Sequence, residues 1–336
     1  LEILSGIEVP DPGLGQVQVR LAYSGVCHSQ LMEVRGGRGD DPWLPHLLGH
    51  EGTGVVTDVG EGVSKVVVGQ RVVLGWIRGA GYDIPGTRYR HGSGEINAGA
   101  VTTFNEEAVV SENRCVPLPD GVPLDVGVLL GCALPTGAGM VINELQPEEG
   151  TAVALFGLGG IGACALLACA TRGLKETVVV EVDDAKLALA ADLGATRVVD
   201  ARETDPVDEI REMTDGKGVD YAIESAGRVD TIRQAFESVR DDGGWCLFAS
   251  HPPSGERIAL NPHDLIRGKR ITGSWGGASD PDRDVPAFAS LYLEGRLSLD
   301  RLLGRWYPLE SINEALDDLE HRQVHRPLIE LDSTVG

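Results

Sequence analysis

The six cysteines, at positions 27, 115, 132, 164, 169 and 246, include no CxxC pair and no disulfide-like spacing. That pattern argues against a disulfide scaffold and favours a reducing cytoplasm. Lysine is scarce, occurring only at Lys65, Lys175, Lys186, Lys217 and Lys269. With 51 acidic residues against 29 basic ones, the formal net charge is -22. A surface of that sign argues against a nucleic-acid partner, because phosphate binding needs clustered Lys and Arg. It suits a salt-rich cell, or equally a compositionally biased genome. The stretch 151–170 lacks any charged residue and is long enough to cross a bilayer, but glycines at 157, 159, 160 and 162 break it into strand, turn and helix. Neither a transmembrane segment nor a signal peptide is expected. Internal repeats and low-complexity tracts are also missing.

What is present is the composition of a globular enzyme, 42% hydrophobic and 24% charged, in 336 residues, a length that favours two domains. The first part carries short alternating strands and glycine turns, as in Gln16–Leu21 and Gly54–Gly62, and this favours a compact β-barrel-like domain. From about residue 150 apolar strand-length runs alternate with helical patterns: 152–156, 163–172, 178–180, 185–193 and 197–199. Such alternation reads as βαβ units feeding a parallel sheet covered on both faces. Later strands are expected at 221–223 and 245–249. The pattern 285–293 and the closing 326–331 read as a return to the first domain. The acidic segment 200–215 reads as solvated surface.

Three residues carry the metal chemistry. Two thiolates and an imidazole, Cys27, His50 and Cys132, suit Zn(II), and a set of three leaves the fourth tetrahedral position open for water or substrate. Spacing alone cannot pair them. The other four cysteines sit in apolar runs and read as small core residues. Gly157-x-Gly159-x-x-Gly162 follows one expected strand and opens a helix, the context of a dinucleotide-binding loop. Gly157 permits the turn, Gly159 lets backbone approach a pyrophosphate, and Gly162 packs helix on strand, with the helix N-terminus toward the phosphates. Glu181 and Asp183 are both placed to accept from the adenosine ribose.

The runs Ser24-Gly-Val-Cys-His-Ser29, Gly49-His-Glu-Gly52, Gly131-Cys-Ala-Leu-Pro-Thr-Gly137 and Phe156-Gly-Leu-Gly-Gly-Ile-Gly162 resemble the zinc-dependent alcohol dehydrogenases of the medium-chain dehydrogenase/reductase superfamily, in register from about residue 8 to the end. The resemblance implies an α/β fold: a Rossmann doubly wound parallel sheet domain, residues 134–275, inserted in a GroES-like β-rich catalytic domain made of residues 1–133 and 276–336. A cleft between the domains is expected to hold the site. It also implies an opening strand ahead of Leu1. One catalytic Zn(II) per chain, NAD, and a small alcohol, aldehyde or ketone substrate follow from it, with a cytoplasmic homodimer or homotetramer and no membrane partner.

By the same resemblance Glu181 is the ribose acceptor and Asp183 a helix N-cap, so NAD is preferred over NADP. Gly160 and Ile161 complete the glycine loop. His28 and Arg326 are expected near the pyrophosphate, Lys186 and Arg228 near the adenosine, and Thr136 near the nicotinamide. Ser29 is expected to take the alcohol's proton. The histidine that several relatives place three residues beyond it is here Met32, which carries no proton, and Gln30 stands where Asp is usual. Glu51 either approaches the metal or pairs with Arg326, and Trp76 lines the alcohol pocket. The four-cysteine lobe of many relatives has no counterpart in 76–104, where His91 reads as solvated, so packing, hydrogen bonds or a partner subunit must hold that stretch. A polyol or sugar-derivative dehydrogenase and a non-catalytic nucleotide-binding protein are the competing functions.

Overall fold

In the computed structural model, which describes residues 1–335, chain contacts fall into two units. The first runs from Leu1 to Cys132 and resumes at Asp280, and the second spans Ala133–Ser279. The first unit opens with strand β1 (Gln16–Gly25) and helix His28–Val34, followed by β2 (Gly52–Val59) and β3 (Arg71–Leu74). The hairpin β4 (Arg88–His91) and β5 (Gly94–Asn97) precedes β6 (Glu107–Ser111) and β7 (Cys115–Pro117). Alternation along β1 turns Val17, Val19 and Leu21 inward, where they meet Val56, Val72, Leu74, Ala108, Val110 and Cys115.

The second unit contributes β8 (Ala152–Phe156), β9 (Glu176–Glu181), β10 (Arg197–Asp200), β11 (Tyr221–Glu224), β12 (Trp245–Phe248) and β13 (Arg270–Gly273). All pair in parallel, in the order β10-β9-β8-β11-β12-β13. Strand order therefore reverses between β8 and β11, the doubly wound arrangement whose ligands bind beyond the strand C-termini at the reversal. Every residue of β8 is buried, as the continuous apolar run requires of a strand covered on both faces. Phe156, Val178, Val180, Ala222 and Phe236 meet in its core. The expected helix 163–172 instead spans Gly160–Cys169, because it starts at the glycine turn itself.

Back in the first unit, helix Pro281–Leu293 begins four residues before its apolar pattern, since Asp280 caps it and Pro281 opens it. Then come β14 (Trp306–Pro308), helix Ile312–Glu320 and β15 (Leu328–Glu330). The sheet order is β14-β15-β1-β2-β3-β7, with β6 also paired to β1. The 76–104 stretch is held without thiolates. Tyr89 is buried and its hydroxyl accepts from Val109 N–H at 2.7 Å, while buried Glu112 accepts from the N–H groups of Ser64, Lys65 and Tyr82. His91 lies exposed in the hairpin. Cys115, Cys164, Cys169 and Cys246 are all buried. Among the described residues no single helix is long and apolar enough to cross a membrane.

Candidate active site

Cys27 ends the turn after β1 and starts helix His28–Val34, where Gln30 folds back so that its Oε1 accepts from Cys27 N–H at 3.0 Å. His50 and Glu51 lead into β2, and Cys132 follows the 3-10 turn Val128–Gly131. Two glycines allow these segments to close. A Cβ on Gly25 would lie 2.8 Å from the Glu51 carboxyl, and one on Gly131 would lie 2.4 Å from Leu74 O. Ser24 Oγ also donates to Glu51 O at 3.0 Å, fixing the backbone between two of the donors. As a result one ligand atom from each of Cys27, His50, Glu51 and Cys132 lies within 4.8 Å of the others.

The electrostatics of this cluster are those of thiols competing for protons. A hydrogen bond from Cys132 holds the Cys27 thiol well below its usual range, and the same bond with burial pushes Cys132 well up. Burial works against the His50 imidazolium, but the hydrogen bond and charge of Cys27 outweigh it and raise His50. Glu51 is raised by burial, with Arg326 opposing. The Arg326 guanidinium donates to Glu51 Oε2 inside the protein, and Glu51 Oε1 is buried without a hydrogen-bond partner. Thus the pairing of Glu51 with Arg326 is realised. Two sulfurs, an imidazole and an orphaned carboxylate oxygen, with Glu51 and Cys132 buried and Cys27 and His50 half-buried, fit a divalent soft-to-borderline cation, which replaces the protons the group otherwise shares.

Ser29 is half-buried in the first turn of helix His28–Val34, His28 is exposed, and Met32 is half-buried one turn later. Trp76 is half-buried just past β3, with its carbonyl accepting from Arg114. Sequence reasoning foresaw Gln30 only as a departure from the usual Asp; its clamp on the Cys27 backbone is visible in the S/T-x-x-Q-like spacing with Cys at the cap position.

In the second unit the glycines divide the labour by their surroundings. Gly157 has φ +89 and its Cβ would strike Ala226 at 2.9 Å, whereas a Cβ on Gly162 would lie 2.1 Å from Gly157 O. Nothing lies within 4 Å of the Cβ position of Gly159, so open space faces the backbone where a pyrophosphate must approach. Gly160 and Ile161 begin the helix and are half-buried. Glu181 closes β9, with Oε2 accepting from Leu158 N–H at 2.8 Å and Oε1 from Val182 N–H at 2.7 Å. Each oxygen keeps a further lone pair. Asp183 caps the next helix by accepting from Lys186 N–H at 3.1 Å. Lys186 Nζ stands 3.9 Å from Glu181 Oε2, and Arg228 is exposed beside Asp230. Thr136 is buried in helix Ala133–Gly139, which packs so closely on the glycine-loop helix that a Cβ on Gly137 would lie 2.2 Å from Ile161 O. This arrangement, a shaped glycine turn with an acidic strand end beside it, fits a dinucleotide.

Comparison with known proteins establishes the family. The alcohol dehydrogenase GroES-like domain family matches residues 13–120, and the zinc-binding dehydrogenase family matches residues 160–294. S-(hydroxymethyl)glutathione dehydrogenase of Komagataella pastoris is 31% identical over 352 residues, covering 96% of this chain and 92% of that protein. The chain belongs to the zinc-dependent alcohol dehydrogenase family of the medium-chain dehydrogenase/reductase superfamily. Among solved structures, an alcohol dehydrogenase zinc-binding domain protein from Burkholderia ambifaria aligns with a TM-score of 0.89 at 32% identity, covering 97% of this chain and 94% of that one. Benzyl alcohol dehydrogenase from Acinetobacter calcoaceticus aligns with a TM-score of 0.86 at 28% identity, with the same coverage of 97% and 94%. As a zinc alcohol dehydrogenase, the chain uses zinc and NAD to interconvert an alcohol and its aldehyde or ketone.

Proposed function

We propose that this alcohol dehydrogenase acts on a small primary or secondary alcohol, with Cys27, His50 and Cys132 holding the catalytic zinc, Ser29 taking the substrate's proton and Glu181 selecting NAD over NADP. The observation that carries the reading is the meeting of ligand atoms of Cys27, His50 and Cys132, which are spread over more than a hundred residues of the chain, within 4.8 Å. Bound there, zinc supplies the Lewis acidity that lowers the pKa of an alcohol or polarises a carbonyl. NAD supplies the hydride acceptor.

The chain's own groups do the rest. Gln30 holds the Cys27 backbone, and the Arg326 guanidinium holds one oxygen of Glu51 and leaves the other directed by burial alone. Ser29 Oγ both accepts and donates, so it can pass a proton onward. Met32 ends any side-chain relay in that direction, and the proton then leaves through water or His28. The Trp76 indole narrows the pocket, which favours unbranched or flat substrates. In the second unit the Glu181 carboxylate accepts ribose hydroxyls and repels a 2′-phosphate. His28 and Arg326 for the pyrophosphate, Lys186 and Arg228 for the adenosine and Thr136 for the nicotinamide are carried by the family resemblance. A cytoplasmic homodimer or homotetramer is inferred on the same ground, and light scattering on the purified chain checks the oligomer.

The named substrates of the relatives, S-(hydroxymethyl)glutathione and benzyl alcohol, differ widely in polarity, so the test is a panel of aliphatic, aromatic and polyol alcohols with each cofactor, following reduced nicotinamide. Turnover with NAD and a small alcohol is expected. Silence across the panel, or a preference for NADP, would overturn the corresponding part. Ser29→Ala should lower kcat by about 10²–10⁴-fold, the range for a general acid–base group, with zinc content unchanged and Ser29→Thr retaining most activity.

A further inference from the structure

A second group of unlike donors meets in the first unit, apart from the thiolates. Glu33 comes from helix His28–Val34, Asp41 from the loop after it, and His46 from the point where the chain bridges to Asn97. His46 Nε2 lies 2.7 Å from Asp41 Oδ2 and 3.7 Å from Glu33 Oε1, and ligand atoms of all three fall within 4.8 Å of one another. The side chains are 13%, 25% and 29% exposed for His46, Asp41 and Glu33.

What separates this group from an ordinary surface ion pair is the second heteroatom of each side chain. His46 Nδ1 lies 2.9 Å from Leu47 O, a carbonyl that only accepts, so Nδ1 keeps its proton; Nε2, which gives its own proton to Asp41 Oδ2 when no ion is bound, is the atom a cation takes once that proton leaves. Asp41 Oδ1 accepts from Trp43 N–H at 2.9 Å, leaving Oδ2. Glu33 Oε2 lies 3.5 Å from the Arg38 guanidinium, leaving Oε1. Each donor is therefore held from behind, as ligands of a metal are. The backbone that carries them is fixed too. Leu47 N–H donates to Asn97 O at 2.8 Å, Asn97 N–H to Pro45 O at 2.9 Å, and Asn97 Nδ2 to Trp43 O at 2.7 Å. With a neutral imidazole, the two carboxylates carry the charge that a divalent ion balances.

We propose that Glu33, Asp41 and His46 form a second divalent-cation site, distinct from the thiolate cluster, for a first-row ion that takes one imidazole and two carboxylates and completes its shell with water. The donor set has no sulfur, so it favours ions of the Mn(II) kind over soft ones. A cation here ties helix His28–Val34, which begins directly after Cys27, to the segment that runs into His50. It thereby braces the approach to two of the zinc ligands.

Protons compete for the same atom. Burial lowers the His46 pKa, but the Leu47 carbonyl, Asp41 and Glu33 outweigh it and raise it, with Arg38 beyond Glu33 the nearby cation. Binding should therefore release a proton and tighten as pH rises.

The test uses zinc-loaded full-length protein titrated with Mn(II), read by electron paramagnetic resonance and calorimetry. One Mn(II) per chain is expected at submillimolar concentration, with zinc content unchanged and the thermal midpoint raised. Asp41→Asn and His46→Gln should each weaken binding by more than the ~10–100-fold that loss of an outer-shell partner costs, while alcohol turnover of the variants persists and reports that they are folded. No Mn(II) bound at millimolar concentration would overturn the site and leave an imidazolium paired with carboxylates. Binding equal in wild type and both variants would overturn it as well, assigning the ion to the acidic surface at large. Neither outcome bears on the zinc at Cys27, His50 and Cys132.

Discussion

With the sites assigned as proposed, the two units solve the same problem, holding a charged cofactor, in opposite ways. The second unit does it with contiguous chain: Gly157, Gly159 and Gly162 lie within six residues, and the backbone itself is the recognition surface. The first unit does it with side chains from remote segments, Cys27, His50, Cys132 and the supporting Arg326. A backbone site is written in local turn chemistry and tolerates little added volume. A side-chain site depends on tertiary closure and loses its function, rather than its shape, when one donor is removed.

The comparison can be broken most severely at Cys132. Cys132→Ala should reduce turnover below detection and lower zinc content, yet leave NAD binding by fluorescence titration within a small factor of wild type. Loss of both together would mean that the two sites do not stand independently.

The glycines offer the next largest effect. Gly162→Ala places a Cβ about where it would lie 2.1 Å from Gly157 O, so it should destabilise the second unit by ~1–3 kcal/mol, the cost of overpacking, and weaken NAD as well. Gly159→Ala meets open space, so it should keep the urea midpoint and weaken NAD alone. Equal midpoints for the two variants would remove the distinction between packing and ligand approach.

A smaller effect is expected at Glu112, which does for the 76–104 stretch what thiolates do in many relatives. Burial opposes its ionised form, but hydrogen bonds from Ser64, Tyr82 and Lys65 N–H groups outweigh that and hold its pKa below the ordinary 4.5. The sign follows: a depressed carboxylate contributes stability that is fully present above pH 4.5 and lost as pH falls through the lower folded value. Glu112→Ala should cost about 1–3 kcal/mol at pH 7 through donors left unpaired. The deficit against wild type should shrink in acid. A constant deficit from neutral pH down to acid would show that the charge is idle and only the shape matters.

Legibility in the sequence follows the same division. The glycine loop and the strand 152–156 could be read directly, because each depends on neighbours within a few residues, whereas the Asp183 cap followed only after the resemblance gave the ribose to Glu181. The zinc ligands could be read as chemistry but not as a set, since nothing local brings residue 27 to residue 132; the family resemblance supplied the pairing. Glu51 left two readings open, and only tertiary structure puts the Arg326 guanidinium against it. Glu112 was not legible as a support, because it acts on backbone N–H groups, which every residue but proline has and no sequence pattern marks; the Gln30 clamp leaves only the weak trace of a capping-box spacing with Cys in place of Ser or Thr. The meeting of Glu33, Asp41 and His46 depends on the bridge between His46 and Asn97, fifty residues on.

The placing of the sulfur atoms divides the chain's susceptibility to oxidants. Burial pushes the Cys115 and Cys169 thiols up to about 12 and Cys246 higher still, so at neutral pH these carry almost no thiolate, the form that peroxides and alkylating reagents attack. Cys27, held well below its usual range, is the exception, and it is also a proposed zinc ligand. An oxidant that meets the site without its metal is therefore expected to attack Cys27 first and to silence the enzyme before it loosens the core.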